Sequence, residues 1–363
     1  MGSCCGGIDL RFLRTTLTLG SAVLATLALG ACAPSDSTGF SPRLSAVRSR
    51  GVLLCGVNGK LPGFSFVDAS GTYRGLDVDI CRAVAAATLG NPERVDYREL
   101  NPAERFAALA SGEVDLLSRN TSYSLSREAR GGNNLSFAPV VFYDGQGMLV
   151  PQGSGIQQLR DLQGKTICVI SGTTSELNLA NSLRQQGITY TPLKYQTADQ
   201  AFASYLQGRC AAISSDRSGL AAKRSSFPDP AAHRVLPALM SKEPLAPASS
   251  KADPAWADVL RWTIYALFQA EELGISRSTL DARLAEARAD PNQADLRRFL
   301  GVEGDFGRQL GLAPDFVVQV IRATGHYGEI FARNVGMGSP IRLERGLNQP
   351  WSQGGLLVSP PFR

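Results

Sequence analysis

Histidine is almost missing from this chain: His233 and His326 are the only two among 363 residues. A histidine-built metal site or a Ser-His-Asp triad therefore has little raw material. No C-x-x-C spacing occurs, which disfavours a redox dithiol and a zinc ribbon. G-x-S-x-G, H-E-x-x-H, Walker A and G-x-G-x-x-G motifs are all absent. Charged residues make up 19% without any block of five like charges, so a net charge of +5 is a weak case for nucleic acid. One long apolar run argues against a polytopic membrane protein, and 44% apolar residues argue against long-range disorder. What remains is a globular chain whose length suggests about two compact units.

The apolar run sits at the N-terminus. Arg11 and Arg14 precede residues 17–31, which are uncharged and end Leu29-Gly30-Ala31-Cys32. A basic start, an apolar stretch shorter than a membrane span and a small-residue cleavage site make residues 1–31 an export signal. Leu-Gly-Ala-Cys resembles a bacterial lipobox, which makes Cys32 the lipidation site and attaches the protein to a bilayer; ordinary cleavage after Ala31 is the alternative. Residues 32–46 are rich in Ser, Pro and Gly and read as a flexible tether. With Cys4 and Cys5 in the signal, Cys55, Cys81, Cys168 and Cys210 remain, and four cysteines allow three pairings. Short loops favour Cys55–Cys81 and Cys168–Cys210, as an oxidising compartment permits.

Short β-like runs then alternate with helix-like runs. Residues 52–57, 95–100 and 114–118 read as strands, and residues 77–89 and 102–111 as helices. The pattern restarts with strands at 165–170, 190–195 and 211–215 and helices at 174–186 and 198–207. A βαβαβ order implies parallel strands with helices on the sheet faces. The expected architecture is two α/β lobes: residues 47–147 as the first, 148–240 as the second, and 241–363 returning to the first with a helical extension. Segments 138–150 and 239–247 are the two crossovers, and a long helix is expected over 255–273.

Ligands bind between lobes and beyond the C-terminal ends of strands. Three segments lie there. Residues 118–127 (SRNTSYSLSR) hold Arg119 and Arg127, whose planar forks match carboxylates. SGTTSE at 171–176 opens a helix whose outward N–H groups can meet an anion, although plain capping is the simpler role. Asp216 ends a strand, where it can receive an ammonium or merely cap the next helix. Together they describe a receptor for a zwitterion.

Those segments, with LCGVNGKLPGFSFVD, GLDVDICRAVAAA, YDGQG, SKEPLAP, AEELGI and GHYGEIFARN, make residues 51–363 similar to the general and polar L-amino-acid-binding proteins of ABC transporters. That resemblance implies a two-lobed periplasmic-binding-protein fold of type II, an L-amino-acid ligand, a permease as partner, and no cofactor, metal or catalysis. It implies that Arg127 and Thr174 hold the α-carboxylate and Asp216 the α-ammonium. Thr173, Asn58, Phe64, Arg119, Asn120, Thr121 and Ser122 are the expected pocket residues around them, Phe64 as a stacking platform. Both cysteine pairs fit the family pattern. Lys60, Ala246 and Ser250 depart from it, leaving side-chain preference open. The rival readings are a dehydratase on the same architecture, with Glu176 as its acid, and an exported sensor.

Overall fold

The computed structural model describes residues 41–363. The signal segment, Cys32 and the start of the tether fall outside them. Residues 42–46 correct the tether reading, because the helix Pro42–Arg50 occupies them. Ser41 Oγ accepts the Leu44 N–H at 2.9 Å, Pro42 stands at the first helical position, and Leu44 and Val47 are buried. Ser-Pro ahead of two apolar residues three apart is a helix start rather than a linker.

Two five-stranded sheets share one topology. In the first, Leu53–Val57 pairs in parallel with Val95–Glu99 and Leu116–Leu117, and the antiparallel strands Ala248–Ser250 and Leu135–Phe137 complete it. In the second, Thr166–Ile170 pairs in parallel with Thr191–Tyr195 and Ala212–Asp216, and the antiparallel strands Gln146–Pro151 and His233–Val235 follow. Period-two alternation sends neighbouring side chains to opposite faces. Met148, Val150, Ile167 and Val169 enter one apolar cluster of the second lobe, while Leu149, Cys168 and Ile170 enter another.

Between the lobes the crossovers Phe142–Asp144 and Glu243–Leu245 pair antiparallel, with Glu243 opposite Asp144. The cysteine pairs are Cys55–Cys81 and Cys168–Cys210. The helix Pro254–Glu272 starts on Pro254 behind Asp253, which accepts the Trp256 N–H at 2.9 Å. It packs with Phe316–Thr324 and Tyr327–Asn334 around the Ala-rich helix Leu76–Leu89, so the C-terminal segment enlarges the first lobe's core. Burial on nearly every side explains why Leu76–Leu89 is mostly small and apolar, with its two acids, Asp77 and Asp79, confined to the first turn. Among the described residues no helix is long and apolar enough to cross a membrane.

Candidate ligand-binding cleft

A cavity of about 240 Å³ lies between the lobes. The first lobe lines it with Asn58, Arg105, Arg119, Asn120, Ser122 and Arg127, and the second with Thr173, Thr174, Ser215 and Asp216, among others. The lobes also touch across it. Ser122 Oγ lies 3.3 Å from Thr174 Oγ1, Arg105 Nη2 donates to the Gly172 carbonyl at 3.5 Å, and Lys60 Nζ lies 3.8 Å from Asp199 Oδ2. The cleft is therefore closed.

Each wall is built locally. Leu116–Leu117 ends in Ser118-Arg119-Asn120, where Asn120 takes the left-handed conformation at φ 38°. Its N–H donates to Asp77 Oδ2 at 3.1 Å, which turns the loop back over Leu76–Leu89. Ser118 Oγ donates to the other oxygen of Asp77 at 3.3 Å. Burial pushes the Asp77 carboxyl up to about 7, against the opposing pull of these bonds and of Arg119. Arg119 Nε donates to the Leu100 carbonyl at 2.7 Å, and Arg127 Nη1 to the Ser122 carbonyl at 2.6 Å.

Arg105, Arg119 and Arg127 are all buried, and desolvation lowers the pKa of each. A guanidinium nevertheless stays protonated at physiological pH, so the burial appears as positive charge in need of an anion. Arg105 shows the need most plainly. It is 3% exposed, its Nε has no partner, and its planar face lies 4.6 Å from the Phe106 ring. Arg105 was not among the sequence candidates; its signal is a cation on the same helical face as buried Ala108 and Leu109.

The second lobe brings the opposite sign. Asp216 precedes the helix Arg217–Ser225 but makes no side-chain cap, so capping does not explain it. It is 8% exposed, and burial raises its pKa well above the usual carboxylate range, helped by neighbouring Asp144 and Glu243. Thr173 caps the helix Thr174–Gln185 by accepting the Glu176 N–H at 3.2 Å. The first N–H groups of that helix lack intrahelical acceptors and offer an anion site. Gly172 takes φ 73°, a conformation costly for other residues, and turns the strand into this helix.

Two expected pocket residues are elsewhere. Phe64 is 1% exposed and meets Phe142 edge-on at 5.3 Å in the core. Gly63 before it has φ 76° and lies so close to Asn334 and Ile341 that a Cβ would collide with them, so this turn requires glycine. Thr121 is fully buried, and its hydroxyl donates to the Arg119 carbonyl at 3.2 Å. Glu176 pairs with Lys194 at 2.9 Å and accepts the Gly172 N–H, outside the cavity lining. Ser250 sits in the first sheet and Ala246 in its core, neither in the lining. The acids of the crossovers, Asp144 and Glu243, were missed altogether: their segments read as connections, and nothing in a single sequence marks two strands 100 residues apart as partners.

The chain matches the model of the bacterial extracellular solute-binding proteins, family 3, over residues 53–289. It is similar to the general L-amino acid-binding periplasmic protein AapJ of Rhizobium johnstonii, 45% identical over 93% of this chain and 96% of that one. It is also similar to the glutamate/glutamine/aspartate/asparagine-binding protein BztA of Rhodobacter capsulatus, 43% identical over 97% of this chain and 100% of the relative. A solved periplasmic binding protein from Brucella ovis, with glutathione bound, superposes with a TM-score of 0.84 at 44% identity, covering 88% of this chain and 99% of its own. With the model spanning well over half of its length, this chain belongs to the bacterial extracellular solute-binding proteins, family 3.

Proposed function

We propose that this protein is an extracytoplasmic receptor that captures L-amino acids and delivers them, chemically unchanged, to an ABC transporter permease. The observation that carries the reading is the arrangement of charge: buried guanidiniums on one wall of a small closed cavity and buried Asp216 on the other. An α-carboxylate bridges Arg127 and the helix start at Thr174, and an α-ammonium meets Asp216. Asn58, Arg119, Asn120, Ser122 and Thr173 shape the rest of the pocket. Neither wall's charge is well compensated by its own lobe, so the ligand stabilises the closed form through its differential affinity for it.

Arg105 extends the reading to a second carboxylate. Three guanidiniums line the cleft; among the first lobe's acids Asp77 and Glu104 offset Arg119, whereas the acid that offsets Arg105 is Asp216 of the second lobe. An acidic side chain, or the distal carboxylate of a γ-glutamyl peptide, supplies the missing anion. The relative named for glutamate, glutamine, aspartate and asparagine includes two such ligands, and the neighbour with glutathione bound holds another. Residues 1–31 are removed on export in this reading and Cys32 carries the lipid anchor, which keeps the receptor near its permease; mass spectrometry of the mature N-terminus tests that part.

The function itself is tested by thermal shift of the mature domain against the twenty amino acids and glutathione. At a hundred times the dissociation constant a ligand adds about 2.7 kcal/mol of stability. Acidic amino acids are expected to give the largest shifts, and no shift with any amino acid overturns the reading.

A further inference from the structure

Glu243 belongs to neither wall of the cavity, yet it is 2% exposed and fully engaged. Its Oε2 accepts from Ser122 Oγ of the first lobe and, at 2.8 Å, from Thr174 Oγ1 of the second. Its Oε1 accepts from Asn178 Nδ2 at 2.8 Å and from Ser241 Oγ at 2.6 Å. All four donors are neutral. The crossover that carries it is fastened to the first lobe by its backbone: Tyr123 N–H donates to the Pro244 carbonyl at 2.7 Å, and Ala246 N–H to the Thr121 carbonyl at 2.9 Å. Glu243 therefore moves with the first lobe, and opening must break its bonds to Thr174 and Asn178. The facing acid behaves differently. Asp144 accepts from Ser218 and from Gly145 N–H, which ties the other crossover to the second lobe.

We propose that Glu243 is a positioning residue that latches the cleft shut, by holding the helix Thr174–Gln185 of the second lobe against the Ser122 loop of the first. The inference rests on the receptor reading above. The latch also sets the site. Ser122, gripped through its hydroxyl by Glu243, presents the carbonyl that orients Arg127. Thr174, gripped through its hydroxyl, brings the helix N-terminus to the same place. A carboxylate is suited to this because it accepts from both lobes at once, and hydrogen bonds to a charged acceptor are the stronger ones. Apparent affinity falls with the fraction of molecules in the competent state, so a latch tightens binding without touching the ligand.

Small-angle scattering and titration calorimetry on the mature protein, with L-glutamate and L-glutamine as probes, test this. For Glu243→Gln we expect an apo particle more expanded than the parent, the parent's compact profile restored at saturating ligand, and affinity about tenfold weaker for both probes. Asn178→Ala removes one cross-lobe donor outside the cavity lining and shifts both readouts the same way by a smaller factor, about threefold. Ser241→Ala leaves both cross-lobe bonds in place and leaves both readouts unchanged. A residue that served only folding would lower the melting temperature without altering the apo dimensions. Apo scattering and affinities within twofold of the parent for both Glu243→Gln and Asn178→Ala overturn the latch. A parent that binds neither probe counts against the receptor reading instead, and the apo scattering still decides the latch.

Discussion

The two lobes have the same sheet and opposite chemistry. In each, a central strand is flanked by parallel partners, and the strand that continues a crossover joins antiparallel. In each, a disulfide anchors the central strand. In the first lobe it reaches Cys81, on the helix that also carries Asp77. In the second it reaches Cys210, at the entrance to the strand that ends at Asp216. Yet the first lobe presents the buried cations Arg105, Arg119 and Arg127, and the second a helix start and the buried acid Asp216, with Lys60, Glu99, Glu104, Asp199 and Lys223 also in the lining. A duplicated scaffold thus fixes where residues end up, and the sign of charge at the strand ends makes the two halves complementary. Neither wall is a site alone.

The strongest way to break that complementarity is to remove Arg127, the proposed carboxylate clamp of the first lobe. Arg127→Ala leaves Asp216 and the helix N-terminus committed to a ligand whose carboxylate is unpaired. Such losses cost about 3–5 kcal/mol, so amino-acid affinity should fall at least about a hundredfold by calorimetry. Near-parent affinity would remove Arg127 from the site. Asp216→Ala tests the opposite wall, and a variant that binds glutamate as well as the parent ends the ammonium assignment.

The disulfides test whether scaffold symmetry extends to energetics. The bridges close loops of sequence separation 26 and 42. Chain-entropy reasoning gives roughly 3.5 kcal/mol for the shorter and roughly 4 kcal/mol for the longer. Cys168→Ser with Cys210→Ser should therefore lower the denaturation midpoint slightly more than the first-lobe pair of substitutions. A larger loss from Cys55→Ser with Cys81→Ser would show that contacts behind Asp77, rather than loop length, set the ranking.

Arg105 sharpens the comparison further, because its partner is expected in the ligand rather than in the second lobe. Arg105→Ala should weaken glutamate roughly tenfold or more while glutamine changes much less, given about 1.5–3 kcal/mol for a hydrogen bond to a charged group. Equal losses for both would make Arg105 a structural cation.

How much of this could be read beforehand follows from how local each signal is. The two βαβαβ runs, the long helix Pro254–Glu272 and both crossovers were legible because hydrophobic period and breakers are short-range. Arg127, Thr174 and Asp216 stand out in the sequence because they follow strands, where the topology places a cleft, and the structure brings them to one cavity. Phe64 lies in the core rather than the pocket, and a Pro-Gly turn after a strand looks alike in either case; its ring packs on Phe142 of a crossover, a partner far away in the chain. Arg105 and Glu243 were missed for a related reason. Their burial is imposed by the opposite lobe and by the crossover pairing, and neither is written in the neighbouring residues.

The smallest expected effect concerns Asp77, which supports the cationic wall from behind. Its folded carboxyl is pushed up to about 7 from an ordinary value of 3.8. Below about pH 4 the folded and unfolded forms both hold the proton. Between about 4 and 7 the unfolded chain releases it while the folded one keeps it, so the folded state binds more protons and stability falls as pH rises. Above about 7 both are ionised and the loss is complete. Asp77→Asn cannot ionise but keeps an acceptor for Ser118 or the Asn120 N–H. The gap in thermal midpoint between variant and parent should therefore move in the variant's favour from pH 4 to 8. Asp144, pushed up to about 6 by burial, contributes its own fall over about pH 4–6 in both proteins, so the variant's profile becomes shallower without becoming flat. Parallel profiles would mean that Arg119 and the loop donors already neutralise the cost of burying Asp77, and the first lobe would then carry less uncompensated charge than its three guanidiniums imply.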